Sequence, residues 1–227
     1  MNIETAIIHG AKILKKNFFL SSHLDSEILM IRAINKDKKY ILNNAHKDIE
    51  EKHFKYFKKL IMERCKGKPI AYLTNKKYFW NSEFFVTSDT LIPRPDTELI
   101  VETALNLTRY KTKLNILDMG IGSGCILISI LKERDHFRGT GIDVSKKCVK
   151  ITKINAKKLN VTSRLKLYKT SIDKFNLGKY DLIVSNPPYI KKHVLKYLDK
   201  SVAEFEPKLA LDGGIDGLSE IRKVIKK

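Results

Sequence analysis

The sequence predicts an α/β protein: a small N-terminal helical bundle, a β-hairpin linker and a doubly wound, mainly parallel sheet. Three observations carry that expectation. Apolar residues recur at helical spacing through about residue 66. A stretch rich in Tyr, Phe, Trp, Thr and Val follows, from Ala71 to Ile92. Beyond it, short β-type runs alternate with helical segments, as in a parallel sheet covered by helices.

In the first part, Ile3, Ile7 and Leu14 form one stripe, with Gly10 between them. Leu24, Ile28 and Ile31 form a second, with Ser21 or Ser22 as its cap. Phe54, Phe57, Ile61 and Cys65 form a third, ended by Gly67 and Pro69. The bundle spans 1–68 and the hairpin linker 69–92, with Asn81-Ser82 at the hairpin's middle. Pro93 to Glu98 is a stiff loop leading into a helix over about 96–108. Pro95 suits the first turn, and Asp96 and Glu98 complement the positive helix end. Strands follow at Leu114–Asp118, Thr140–Asp143, Leu165–Tyr168 and Asp181–Val184, and helices at about 125–134, 146–159 and 193–200. This second domain runs over 93–227.

Composition bounds the function. A chain of 227 residues that is 43% hydrophobic can bury a sizeable core. No apolar run approaches the ~20 residues of a membrane helix, and the amphipathic N-terminus has no signal-peptide pattern. Cys65, Cys125 and Cys148 are widely spaced, which suggests neither a disulfide framework nor a metal site and fits a cytoplasmic protein. The net charge of +19 suits a nucleic-acid or ribosome-associated partner. It equally suits the lysine bias of an AT-rich genome, because only eight of the 44 basic residues are Arg. The bias is the preferred reading, and no stable nucleic-acid partner is expected.

Asp118-Met119-Gly120-Ile121-Gly122-Ser123-Gly124 lies between a strand and a helix. Alternate glycines let backbone approach a ligand at the carboxyl end of the first strand. The third glycine comes one residue too early for a dinucleotide fingerprint, which argues against NAD. Asp143 ends the next strand, 23 residues after Gly120, where a carboxylate can accept hydrogen bonds from both ribose hydroxyls. A nucleoside with a non-phosphate tail fits, and S-adenosylmethionine is such a molecule. Glycines serving a tight turn alone are the plain alternative.

Ser185-Asn186-Pro187-Pro188-Tyr189-Ile190 follows the fourth strand and faces the same crevice. The prolines stiffen the segment and lack N–H donors. The Asn186 side-chain oxygen and the Pro187 carbonyl can accept both hydrogens of a planar NH₂ group, and Tyr189 offers a stacking face. An amide or aromatic-amine nitrogen is a poor nucleophile, so two acceptors that orient it and stabilise developing charge are the help it needs. No catalytic His or Cys is required. A proline-rich turn without function is the plain alternative. Trp80 and Tyr78 read as hairpin packing, and Asp181 as a strand start.

These residues name a family. GKPIAYLTNKKYFW (67–80), FFVTSDTLIPRPDTELIVE (84–102), ILDMGIGSGCI (116–126), IVSNPPYI (183–190) and FEPKLALDGGIDGL (205–218) resemble, in order, the signatures of PrmC/HemK-type N5-glutamine methyltransferases. The resemblance implies a class I, Rossmann-like, S-adenosylmethionine-dependent methyltransferase that modifies the glutamine of the Gly-Gly-Gln loop in peptide chain release factors. It places Gly120, Ile121, Gly122, Ser123, Gly124, Asp143, Ser171 and Asn186 on the cofactor. It places Asn186, Pro187, Pro188 and Tyr189 on the substrate glutamine, with Asn186, Pro187 and Tyr189 catalytic. The loop around Arg94 would cover the cofactor, and the N-terminal helices would help grip the release factor.

The sequence departs from the family in three places. Met119 and Ile121 replace the usual Leu and Thr. Lys169-Thr170-Ser171-Ile172 stands where an acid and a large apolar residue usually approach adenine. The family fold also continues with another central strand and a closing hairpin, whereas this chain ends in a helix over 218–227 whose Leu218, Ile221 and Ile225 have little to pack on. The expectation is therefore a domain lacking its last strands, with Leu182 to Val184 on an exposed edge, and unstable or inactive alone. An N6-adenine DNA or RNA methyltransferase and an inactive truncated methyltransferase are the alternative readings.

Overall fold

The computed structural model describes residues 1–227, which form two compact units, Met1–Asn75 and Lys76–Lys227.

The first unit is helical: α1 (Ile3–Lys16), α2 (Ser22–Ile34), α3 (Lys38–Asn43), α4 (Glu51–Cys65) and the short α5 (Ile70–Thr74). Asn2 and Asp37 cap α1 and α3 by accepting from the Thr5 and Tyr40 N–H groups. Ile3, Ala6, Ile7 and Leu14 pack with Leu29, Met30, Phe57 and Ile61. The expected α2 stripe is rotated, and Leu24 is 54% exposed. The reason is a polar seam. Asp25, buried, accepts from Arg64 Nε on α4 at 2.7 Å, and Ser26 Oγ donates to Ile7 O at 2.8 Å. Satisfying those groups turns Leu29, Met30 and Ala33 inward instead. Neither candidate serine caps α2, since Ser21 Oγ donates to Asp25.

The second unit opens with an antiparallel hairpin, β1 (Lys76–Phe79) and β2 (Ser82–Phe85). The hairpin is shorter than the 69–92 expected. Residues 70–74 are helical, and the turn is Trp80-Asn81, both at positive φ, rather than Asn81-Ser82. Trp80 packs against the core, and its indole donates to Glu133. A 3₁₀ turn at Pro95–Thr97 precedes α6 (Glu98–Leu107).

The sheet follows: β3 (Asn115–Met119), α7 (Cys125–Glu133), β4 (Arg138–Asp143), α8 (Lys146–Lys158), β5 (Leu165–Lys169) and β6 (Leu182–Ser185). All four strands are parallel, in the order β5-β4-β3-β6. Asp181 clips the start of β6 to β3 by accepting from the Asn115 N–H. The expected helix over 193–200 is instead a 3₁₀ segment, Lys192–Tyr197, and a short α9 (Lys200–Ala203).

β6 is an outer strand, but less bare than expected. Ile183 is exposed, while Val184 is buried and Leu182 packs on the main core. In α10 (Ser219–Ile225), Val224 is the residue that packs, against the cluster of Leu117, Met119, Ile142 and Phe175. No helix is long and apolar enough to cross a membrane.

Candidate active site

Met119, Ile142 and Ser185 stand level across β3, β4 and β6, with Asp143 following Ile142 at the same edge. The chain runs from β3 through β4 to β5 on one side and returns to β6 on the other. The crevice between β3 and β6 is therefore the topological switch point, where doubly wound sheets bind ligands. A cavity of about 490 Å³ opens there, within the range of small-molecule sites. It draws its lining from the loop before α6, the glycine loop, the ends of β4 and β5, the segment after β6, and α10.

The glycine loop divides into two jobs. Gly120 has φ +79°, and a Cβ there would meet nothing within 4 Å. Its face is open, which is what a ligand's close approach needs. Gly124 has φ +83°, and a Cβ would lie 2.7 Å from Ile128 and 2.8 Å from Thr152, so it serves packing. Accordingly Gly120, Ile121, Gly122 and Ser123 line the cavity and Gly124 does not. Several bonds anchor the loop. The Gly120 N–H donates to Ile142 O, Thr152 Oγ1 to Gly122 O at 3.0 Å, and Asn155 Nδ2 to Ser123 O at 2.8 Å. Asn155 is fully buried and also pairs with both backbone groups of Phe85, which fastens the hairpin to the loop.

Asp143 accepts from the Gly122 N–H at Oδ2 (3.0 Å) and from the Ser145 N–H at Oδ1 (2.8 Å). Burial raises its pKa above the usual carboxylate range, and these two bonds pull it partly back. A carboxylate offers about four lone-pair sites, so each oxygen keeps capacity for a further donor. That is the provision a ribose diol needs, and the residues fit a nucleoside cofactor. Asp118, one turn of chain beneath the loop, is 1% exposed, and neither oxygen has a well-formed hydrogen bond. Burial drives its pKa up to about 7; the Leu127 N–H lowers it in part, and the charge of Asp143 adds to the rise. Burial likewise pushes the Cys125 thiol up to about 12, so it carries no thiolate chemistry at neutral pH.

Ser185 Oγ donates to Met119 O at 2.6 Å and ties the end of β6 to the root of the glycine loop. Asn186, Pro187 and Pro188 then line the cavity. Asn186 Nδ2 donates to Thr97 Oγ1 at 3.2 Å. Tyr189 lies outside the lining, with its side chain outward and 62% exposed. Ser171 lines the cavity beyond β5, beside Ile172 and Asp173.

The segment after β6 is braced rather than hanging from an edge. The Ile190 N–H donates to Leu211 O, the Gly213 N–H to Ile190 O, and the Lys192 N–H to Gly214 O. A Cβ on Gly217 would lie 2.5 Å from Tyr189 O, and one on Gly213 2.8 Å from Tyr189 Cα. Glu206, almost wholly buried, makes an ion pair with Arg94 and accepts from the Ile92 N–H at 3.2 Å. It thereby fixes the Arg94 loop to the stretch before Pro207. Sequence reasoning gave no role to Thr97, Thr152, Asn155 or Glu206. Thr97 and Glu206 lie within the quoted motifs 84–102 and 205–218, and in α8 Thr152 and Asn155 are polar residues on the face that also carries Cys148 and Ile151.

The fold is Rossmann-like, and with the family matches that follow it makes the chain an S-adenosylmethionine-dependent methyltransferase. The family described as Methyltransferase small domain matches residues 95–213, and the PrmC N-terminal domain matches residues 5–74. A release factor glutamine methyltransferase of Buchnera aphidicola subsp. Acyrthosiphon pisum is 38% identical, over 95% of this chain and 78% of that protein. One from Clostridium acetobutylicum is 34% identical, over 99% of this chain and 80% of its own. The chain belongs to the release factor glutamine methyltransferase family. Among solved structures, the hMettl16 catalytic domain in complex with the MAT2A 3′UTR hairpin 6 shares the fold, with a TM-score of 0.53 at 17% identity. That match covers 63% of this chain and 55% of the other.

Proposed function

We propose that this chain methylates the side-chain amide nitrogen (N5) of the glutamine in the Gly-Gly-Gln loop of peptide chain release factors, in the cytoplasm. The observation that carries the reading is the meeting of Asn186-Pro187-Pro188 and the Gly120–Ser123 loop in one cavity at the switch point. The names of the relatives supply the substrate class.

In this reading Asp143 holds the ribose, Gly120 to Ser123 lie against the cofactor, and Ser171 stands toward the base, with Gly124 supporting the loop. S-adenosylmethionine, held by these residues, would supply a methyl carbon already activated by its sulfonium, with the neutral thioether as leaving group. Asn186 Oδ1 and the Pro187 carbonyl accept the two amide N–H groups and turn the nitrogen lone pair toward that carbon. Both acceptors also stabilise the positive charge that grows on nitrogen until one proton leaves to solvent. Pro187 and Pro188 bring no N–H groups to compete for those acceptors. The exposed Tyr189 ring is the outer face against which the incoming loop rests.

The test incubates the 227-residue chain with methyl-labelled S-adenosylmethionine and a release factor, beside the same factor carrying Gln→Ala in the loop. Label on the wild-type factor alone, recovered as N5-methylglutamine, is the expected result. Label on both factors, or on neither, refutes the proposal.

A further inference from the structure

We infer that Glu206, which lines no part of the cavity, is a positioning residue for Asn186. The inference rests on the reading of Asn186 as the group that orients the substrate amide.

A side chain can hold a reacting nitrogen in line only if it is itself held. Asn186 is held from two directions. Its Nδ2 donates to Thr97 Oγ1 at 3.2 Å. Its backbone runs through Pro187 and Pro188, whose rings fix φ, to Ile190, whose N–H donates to Leu211 O at 3.0 Å. These two supports belong to segments far apart in the chain, and Glu206 joins them. It pairs with the Arg94 guanidinium through one oxygen and accepts from the Ile92 N–H at 3.2 Å through the other. A ring results, running from Asn186 through Thr97, Arg94, Glu206, Leu211 and Ile190 and back to Asn186.

The ring is stiff along its length. The Thr97 N–H donates to Arg94 O at 3.1 Å across Pro95. Between Glu206 and Leu211 the chain is a 3₁₀ turn, in which the Ala210 N–H donates to Pro207 O at 2.8 Å and the Leu211 N–H to Lys208 O at 3.0 Å. The Arg94–Glu206 pair is the link made by charge. The Glu206 side chain is 1% exposed, against 37% for Arg94. A carboxylate that far out of water strongly resists the loss of its cation, so the link persists beside an open cavity. Broken there, the ring leaves each support on its own segment, and the two can move against each other. A misplacement of about 1 Å at a reacting group can cost about a hundredfold in rate.

The test opens the link from each side. Glu206→Gln keeps the shape and an acceptor for the Ile92 N–H, but removes the charge and sets an NH₂ group against the Arg94 donors. Arg94→Gln removes the cation. Each lowers kcat at least about tenfold at a temperature well below its melt, while S-adenosylhomocysteine affinity stays within about threefold. The double variant loses no more than the poorer single one, because a ring already open is not opened again. The side-chain NH₂ resonances of Asn186 in the ¹⁵N-labelled chain shift in both single variants. Unchanged Asn186 resonances in Glu206→Gln overturn the inference whatever kcat does. So do losses that multiply in the double variant, and so does a cofactor-product affinity that falls as far as kcat, because Glu206 would then serve the cofactor side alone. Should Glu206→Gln fail to fold, Arg94→Gln, at a partly exposed position, decides by the same readings. If the wild-type chain transfers no methyl, the proposed function falls by itself, and the Asn186 resonances alone decide the role of Glu206.

Discussion

Asp118 offers a measurement of how the site is built. Its side chain is buried in the central strand β3, and neither oxygen has a well-formed hydrogen bond. Its pKa rises from 3.8 in the unfolded chain to about 7 in the folded one, chiefly through burial. The sign follows. Between those two values the folded chain holds a proton that the unfolded chain has released. The contribution of this group to stability is therefore most favourable below about pH 4, falls as pH rises toward 7, and levels above it. The ionised group costs the fold about 4 kcal/mol at pH 8 and under about 2 kcal/mol at pH 5. Asp118→Asn removes the ionisation and keeps the shape. Its stability relative to wild type should rise by about 2.5 kcal/mol from pH 5 to pH 8. For a chain of this size that is a change of roughly 5–10 °C in the difference between the two melting temperatures. Calorimetric melts of both proteins at the two pH values read it directly. A difference that is the same at both pH values would refute the raised pKa of this buried β3 carboxyl.

Two further outcomes follow from the same geometry. Asp143→Ala removes the acceptor for the Gly122 and Ser145 N–H groups and the carboxylate proposed to hold the ribose, and should weaken S-adenosylhomocysteine binding by about a hundredfold in titration calorimetry. Gly217→Ala places a Cβ 2.5 Å from Tyr189 O at φ +82°. A strain of about 1–3 kcal/mol should displace the Tyr189–Lys192 segment, lowering kcat at least tenfold while S-adenosylhomocysteine still binds.

The parallel sheet was legible because its strands are short apolar runs, three of them followed or closed by a polar residue of a motif. Asp118 and Asp143 mark strand ends by their place before and after glycines, and Asn186 marks a third. The glycine loop was legible because its spacing is itself the geometry. The α2 face was misplaced because a buried Asp25–Arg64 pair, formed across 39 positions, outweighs the local apolar stripe. The hairpin was drawn too long because aromatic and β-branched composition does not separate a strand from the turn of helix at 70–74. The support around the site was invisible for a related reason. Thr97, Asn155 and Glu206 act on residues 89, 32 and 112 positions away, and no local pattern encodes such contacts.

The charge of the chain and the charge of the cavity have opposite signs. Overall the chain carries +19. Yet Asp89, Asp143, Asp173, Asp212 and Glu220 line the cavity, against Arg94 and Lys223. Arg94 is paired with Glu206, Lys223 with Glu220 and Asp173, and Asp89 with Lys147, which leaves Asp143 and Asp212 without a cationic partner. A cofactor that brings a sulfonium and an ammonium group therefore meets a negative lining within a positive protein. Surface charges more than about 8 Å away are screened at physiological salt, while charges around a cavity are screened less. The lysine surplus consequently does little to oppose cofactor binding. Its effect falls on the outer surface, where it acts on whatever large partner approaches. This separation explains how a lysine-rich composition can coexist with a site built for a cation. The acids without a cationic partner, Asp143 at the end of β4 and Asp212 in the loop before α10, are held by the fold. Most lysines of α8 lie on its exposed face, and Lys147 alone of them reaches a cavity acid, Asp89.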